Sequence, residues 1–111
     1  MKGEDNMNGN VELLQRTQML SGKIESLTGN QEEFYEYFDD AEVEYRIDSA
    51  LRYRGAYVFI EGGGPTTWVD TSRGTLESRW GGFKVSVGLD EKTVMLIDDY
   101  FSEIYNSQRG A

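Results

Sequence analysis

Between residues 41 and 88 the chain reads as a train of short segments with period-two alternation, parted by glycine turns. In the first of them Ala41, Val43, Tyr45 and Ile47 alternate with Asp40, Glu42, Glu44, Arg46 and Asp48, the pattern of a strand with one apolar and one charged face. GAYVFIEG (55–62) is nearly continuous in apolar residues, as a central strand is. GGGP (62–65) makes a turn, and TTWVDT (66–71), TLESRW (75–80) and FKVSV (83–87) read as three further strands. The connections SRG and GG have the composition of tight hairpins, which join antiparallel partners.

Helices flank this train. Asn10 is placed to cap a helix whose apolar positions include Leu13, Leu20, Ile24 and Leu27; Gly22 weakens its middle and Gly29-Asn30 ends it. Asn30, three residues before Glu33, opens a second, short helix in the manner of a capping box, with Phe34 and Phe38 facing inward. Asp90 caps a last helix that carries Val94, Ile97, Phe101 and Ile104 on one stripe. The order predicts the α+β class: about five strands in a mostly antiparallel sheet, with two N-terminal helices and one C-terminal helix packed on one face. The other face is then wet or used for binding. Residues 10–106 form a single domain on this reading, with 1–9 and 107–111 as tails.

The chain has no cysteine and no histidine. Disulfides, thiolate or imidazole metal sites, and Ser–His or Cys–His nucleophiles are therefore excluded. A non-enzymatic protein without cofactor or metal is the expectation. The opening residues lack the apolar run of a signal peptide, and no stretch approaches the ~18 apolar residues of a membrane span. The expected setting is the cytoplasm, away from membranes.

Net charge is −9, and it is unevenly placed. Residues 31–48, QEEFYEYFDDAEVEYRID, hold eight acids against Arg46, while residues 49–89 hold three acids and five bases. Residues 90–106 are acidic again, with five acids against Lys92. One reading of the first block is a solvated face, and charge on an edge strand also discourages aggregation. The other is a contact surface for a basic partner, in which Glu32, Glu33, Glu36, Asp39, Asp40, Glu42 and Glu44 supply charge. Tyr35, Tyr37 and Tyr45 would supply packing, since aromatics carry contact energy where exposed carboxylates mainly steer. Direct binding of nucleic acid by this block is disfavoured, because phosphates would be repelled.

Other features carry less chemistry. The glycine run after residue 61 precedes a strand and lacks a following Lys-Ser or Lys-Thr pair, so neither a P-loop nor a dinucleotide fingerprint is present. Glu32 with Glu36 and Asp39 with Asp40 have no EF-hand spacing and read as helix surface. Trp68, Asp70 and Trp80 form a secondary candidate surface, a sugar or base platform or a small carboxylate site.

YRGAYVFIEGGGPTTWVDT, then TLESRWGG, then DDYFSEIY resembles a family of small acidic proteins carried by bacterial phages, plasmids and conjugative elements. The likeness spans roughly residues 52–106. It rests on Gly63, Gly64 and Pro65; on Trp68, Asp70 and Thr71; on Trp80 and Gly81; and on Asp98, Asp99, Tyr100, Phe101, Glu103 and Tyr105. Thr66-Thr67 stands where an Asn after the proline is expected. The resemblance implies a counter-defence setting, anti-CRISPR-like or antirestriction-like, and carries over no catalytic assignment. The expectation is thus an acidic inhibitor that occupies the basic nucleic-acid channel of a CRISPR or restriction nuclease complex in a bacterial host. The alternatives are an immunity protein for a toxic nuclease, and an enzyme or sugar-binding module centred on Trp68, Asp70 and Trp80.

Overall fold

The computed structural model describes residues 2–110, with side chains from 9 to 109. Helix α1 (Lys2–Ser26) leads through a 3₁₀ turn (Leu27–Gly29) into α2 (Gln31–Phe38). Five strands follow: β1 (Val43–Ile47), β2 (Tyr53–Glu61), β3 (Thr66–Asp70), β4 (Thr75–Trp80) and β5 (Phe83–Gly88). Helix α3 (Glu91–Gly110) closes the chain. The sheet is a five-stranded antiparallel meander in the order β1-β2-β3-β4-β5, so the α+β architecture matches the sequence pattern.

Register decides which side chains share a face. Val58 pairs with Val43 and Val69, and Leu76 with Val69 and Val87, so these residues line one side of the sheet. The helices cover that side: Ile24, Phe34, Phe38, Ile97 and Phe101 pack with Ala56, Val58, Val69 and Leu76 into one core. Burying side chains of this size stabilises by ~1.5–3 kcal/mol each relative to exposure. Asn30 caps α2 by accepting from the Glu33 amide at 3.1 Å, but its own amide bonds Leu27, so only half of the capping box forms. Asp90 caps α3 by accepting from the Thr93 amide at 2.8 Å. At the β4–β5 hairpin Gly81 has φ +60°, a conformation that favours glycine in a two-residue turn.

Four details depart from the sequence reading. The first helix starts at Lys2 rather than after Asn10, so residues 2–9 are helical and not a tail. Gly9 carries it across β5, where a Cβ would come within 3.0 Å of the Phe83 ring. Residues 107–110 likewise continue α3. The buried stripe of α1 is Leu13, Thr17, Ser21 and Ile24, with Leu20 only partly covered. Thr17 is tolerated inside because its hydroxyl donates to the Leu13 carbonyl at 2.7 Å. Finally, Ile47 is exposed, because the register shift between Arg46 and Ile47 breaks the alternation of β1.

Candidate functional site

The carboxylates of the first acidic block stand on two sides of the molecule. On α2, Phe34 and Phe38 are buried, and Glu32, Glu33, Glu36 and Asp39 are exposed on the outer side of the helix. After the short connection, β1 turns Val43 and Tyr45 toward the core and Glu42 and Glu44 toward the helix-free face of the sheet. Asp40 lies between, in a groove with Tyr37, Glu42 and Phe59. The acids therefore wrap the corner between α2 and β1 rather than paving one flat patch. None of these seven takes part in an ion pair among the described residues. The eighth acid, Asp48, is held by Arg52 at 2.8 Å and Arg54 at 3.5 Å.

The three tyrosines have different situations. Tyr35 is 46% exposed and stacks on Tyr100 of α3, with centroids 5.4 Å apart. Tyr37 is partly buried beneath Lys23 of α1, whose ammonium lies 5.6 Å from the ring centroid. Burial, and secondarily the charge of Glu61, pushes its phenol pKa up. Tyr45 points inward and packs against Tyr53 and Tyr105, so it belongs to the protein's own interior more than to a contact surface.

The helix-free sheet face carries a network that the sequence reading covers only in part. Trp68 and Asp70 do share this face. Trp80 does not: it alternates in phase with Leu76 and Ser78 and falls on the opposite side of β4, 51% exposed near the β4–β5 turn. The proposed trio is thus split by strand parity. In its place, Tyr57 stacks on Trp68 at 4.8 Å and Phe59 meets Trp68 edge-on at 5.1 Å. Arg46 lies over the Tyr57 ring and pairs with Asp70, which is only 2% exposed. The hydrogen bond to Asp70 is the largest cause raising the Arg46 pKa. Asp70 also accepts from the amides of Ser72 at 3.0 Å and Arg73 at 3.3 Å, tying it into the β3–β4 turn. Glu77 is held by Arg79 at 3.1 Å and Lys84 at 3.6 Å. Tyr57, Phe59, Arg46 and Glu77 were legible only once the register was known.

The two buried acids of this face, Asp70 and Glu77, are therefore each answered by a guanidinium or an ammonium group. Among the described residues no group of three or more acids is placed to hold a metal ion. No helix there is long and apolar enough to cross a membrane. Comparison with protein-family models, with curated proteins and with solved structures finds no match.

Proposed function

We propose that the chain is a non-enzymatic inhibitor that docks its acidic corner into the basic channel of a nucleic-acid-handling defence complex in a bacterial cytoplasm. One contrast supports this reading. Glu61, Asp70, Glu77 and Asp48 are all paired with the protein's own cations, whereas among the described residues the seven acids at the α2–β1 corner are exposed, unpaired and gathered in one short segment, 32–44. Their negative potential is left for an external cation. The outer side of a helix and a strand face meet at this corner, so the charge wraps an edge, and a charged edge suits a groove better than a plane. Phosphate-lined duplexes fill such grooves, so an acidic edge competes with them through both charge and volume. Exposed acids contribute little singly, ~0.2–1 kcal/mol per surface pair, and act together mainly on the association rate.

The test is affinity capture from a bacterial lysate with the wild-type chain and with a variant whose seven corner acids are replaced by Gln or Asn. The expected result is capture of a nuclease complex that duplex DNA displaces and that the variant binds at least about tenfold more slowly. Binding should also weaken at about 0.5 M salt, where surface charge is screened. Capture indifferent to the variant, to DNA and to salt would overturn the reading.

A further inference from the structure

Between α2 and α3 lies a cleft of about 230 Å³, lined by Gln31, Tyr35, Leu96, Asp99, Tyr100 and Glu103 among others, with no Lys or Arg in its walls. At ~30 Å³ per water this is room for roughly seven waters, enough for a side-chain head group. Its aromatic wall is held in place before any ligand arrives. Tyr35 and Tyr100 stack with an interplanar angle of 28°, and Tyr100 stands edge-on to Phe34 at 6.0 Å and to Phe101 at 5.0 Å. Gln31 Nε2 donates to the Tyr35 hydroxyl at 2.8 Å, fixing that ring too. The same two rings and Glu103 wall a second groove that runs toward Ile104 and Gln108. Asp99 and Glu103 are exposed, one helical turn apart, and unpaired among the described residues.

We propose that this cleft receives the side chain of an arginine presented by the partner protein. The proposal rests on the reading of an acidic protein seeking a basic partner, and it names one contact within that interface. A guanidinium is planar, lies flat on tyrosine, and offers five donors in a fork that two carboxylates one turn apart can accept. A lysine ammonium cannot stack in this way and loses more hydration on entry. An apolar side chain would desolvate Asp99 and Glu103 with nothing to bond them, and a phosphate would be repelled. The carboxylates alone would not make a site; the preformed aromatic wall and the cavity beside it do.

The test is an NMR titration of the full chain with Nα-acetyl-arginine methylamide, against the lysine and citrulline counterparts. The arginine compound should shift the ring signals of Tyr35 and Tyr100, the lysine compound should bind several-fold more weakly, and uncharged citrulline should not bind. Asp99→Asn with Glu103→Gln should abolish the shifts, as should Tyr35→Ala. Glu91→Gln, the loss of one charge at the N-terminal end of α3, should leave them unchanged. Equal response to arginine and citrulline, or arginine shifts that survive both cleft variants, would overturn the proposal. This titration needs no partner, so it stands apart from the capture experiment. Lost DNA-sensitive capture in the corner variant with no arginine site at the cleft would leave the function intact and sink only this contact.

Discussion

Replacing Glu36 by Gln should make the free protein more stable, and the gain should vanish in salt. Glu36 lies on the outer side of α2 with Glu32 at i−4, Glu33 at i−3 and Asp39 at i+3, the last still in helical conformation. No base sits on this helix. Like charges at these spacings each cost ~0.2–0.5 kcal/mol, so three relieved contacts give ~0.6–1.5 kcal/mol. Glu36 is also near the C-terminal end of the helix, where a negative charge opposes the dipole by ~0.3 kcal/mol or more. Gln keeps the side-chain length and nearly the same helix propensity, so little is lost in return. The sum is about 1–2 kcal/mol, or ~4–10 °C in Tm for a domain of this size. Urea denaturation at low salt should show the gain as a higher midpoint with an unchanged slope. At about 0.5 M NaCl the screening length falls to ~4 Å, shorter than the ~5–6 Å between neighbouring positions, and most of the gain should disappear. A neutral or destabilising effect at low salt, or a gain that persists in high salt, would refute the repulsion argument. A gain in fold stability joined to slower partner capture is what a charge retained for binding requires.

Two further outcomes test the paired regions of the fold. Asp70→Ala should destabilise by ~2–4 kcal/mol in urea titration, since it orphans two turn amides and the Arg46 guanidinium, while half-exposed Arg46 limits the ion-pair share. Asp70→Asn should cost less, and an Ala variant within about 0.5 kcal/mol of wild type would show that the network does not anchor the turn. The acid limb of stability should depend on Asp48 and Asp90. Amide hydrogen bonds from Arg52 to Asp48, and hydrogen bonds from Thr93 to Asp90, lower both pKa values from 3.8. A depressed folded pKa means the contribution is complete above the unfolded value and is lost as pH falls through the lower folded one. Asp48→Asn with Asp90→Asn should therefore flatten the loss of stability below about pH 4; an unaltered acid limb in circular dichroism would contradict this.

The strands were legible because their signals are local. TLESRW matches β4 residue for residue, and the GG turn places Gly81 where a positive φ is needed. The caps at Asn30 and Asp90 were readable for the same reason. What the sequence hid depends on contacts between distant elements. The helical continuation before Asn10 runs through Gly3 and Gly9, poor helix formers, and it crosses the Phe83 ring, which no local pattern announces. Parity within β4 places Trp80 with Leu76 and Ser78, but only register across β3 shows that Trp68 and Asp70 point the other way. Tyr100, Asp99 and Glu103 likewise became neighbours of Tyr35 only when α3 packed beside α2.

The distribution of cations carries the functional argument further than the count of acids. Arg46 and Arg73 answer Asp70, Arg79 and Lys84 answer Glu77, Arg52 and Arg54 answer Asp48, and Arg16 answers Glu61. A chain that needed charge only for solubility would gain a few tenths of a kcal/mol per pair by interspersing bases on α2, as stable exposed helices do. Instead α2 bears no base, and Lys23 of α1, which lies over the Tyr37 ring, pairs with no carboxylate among the described residues. The same short segment exposes Tyr35, a residue type that adds contact energy rather than solubility. Self-repulsion kept in place beside an exposed aromatic ring is costly for the isolated protein, and on the proposed reading a cationic partner surface relieves it.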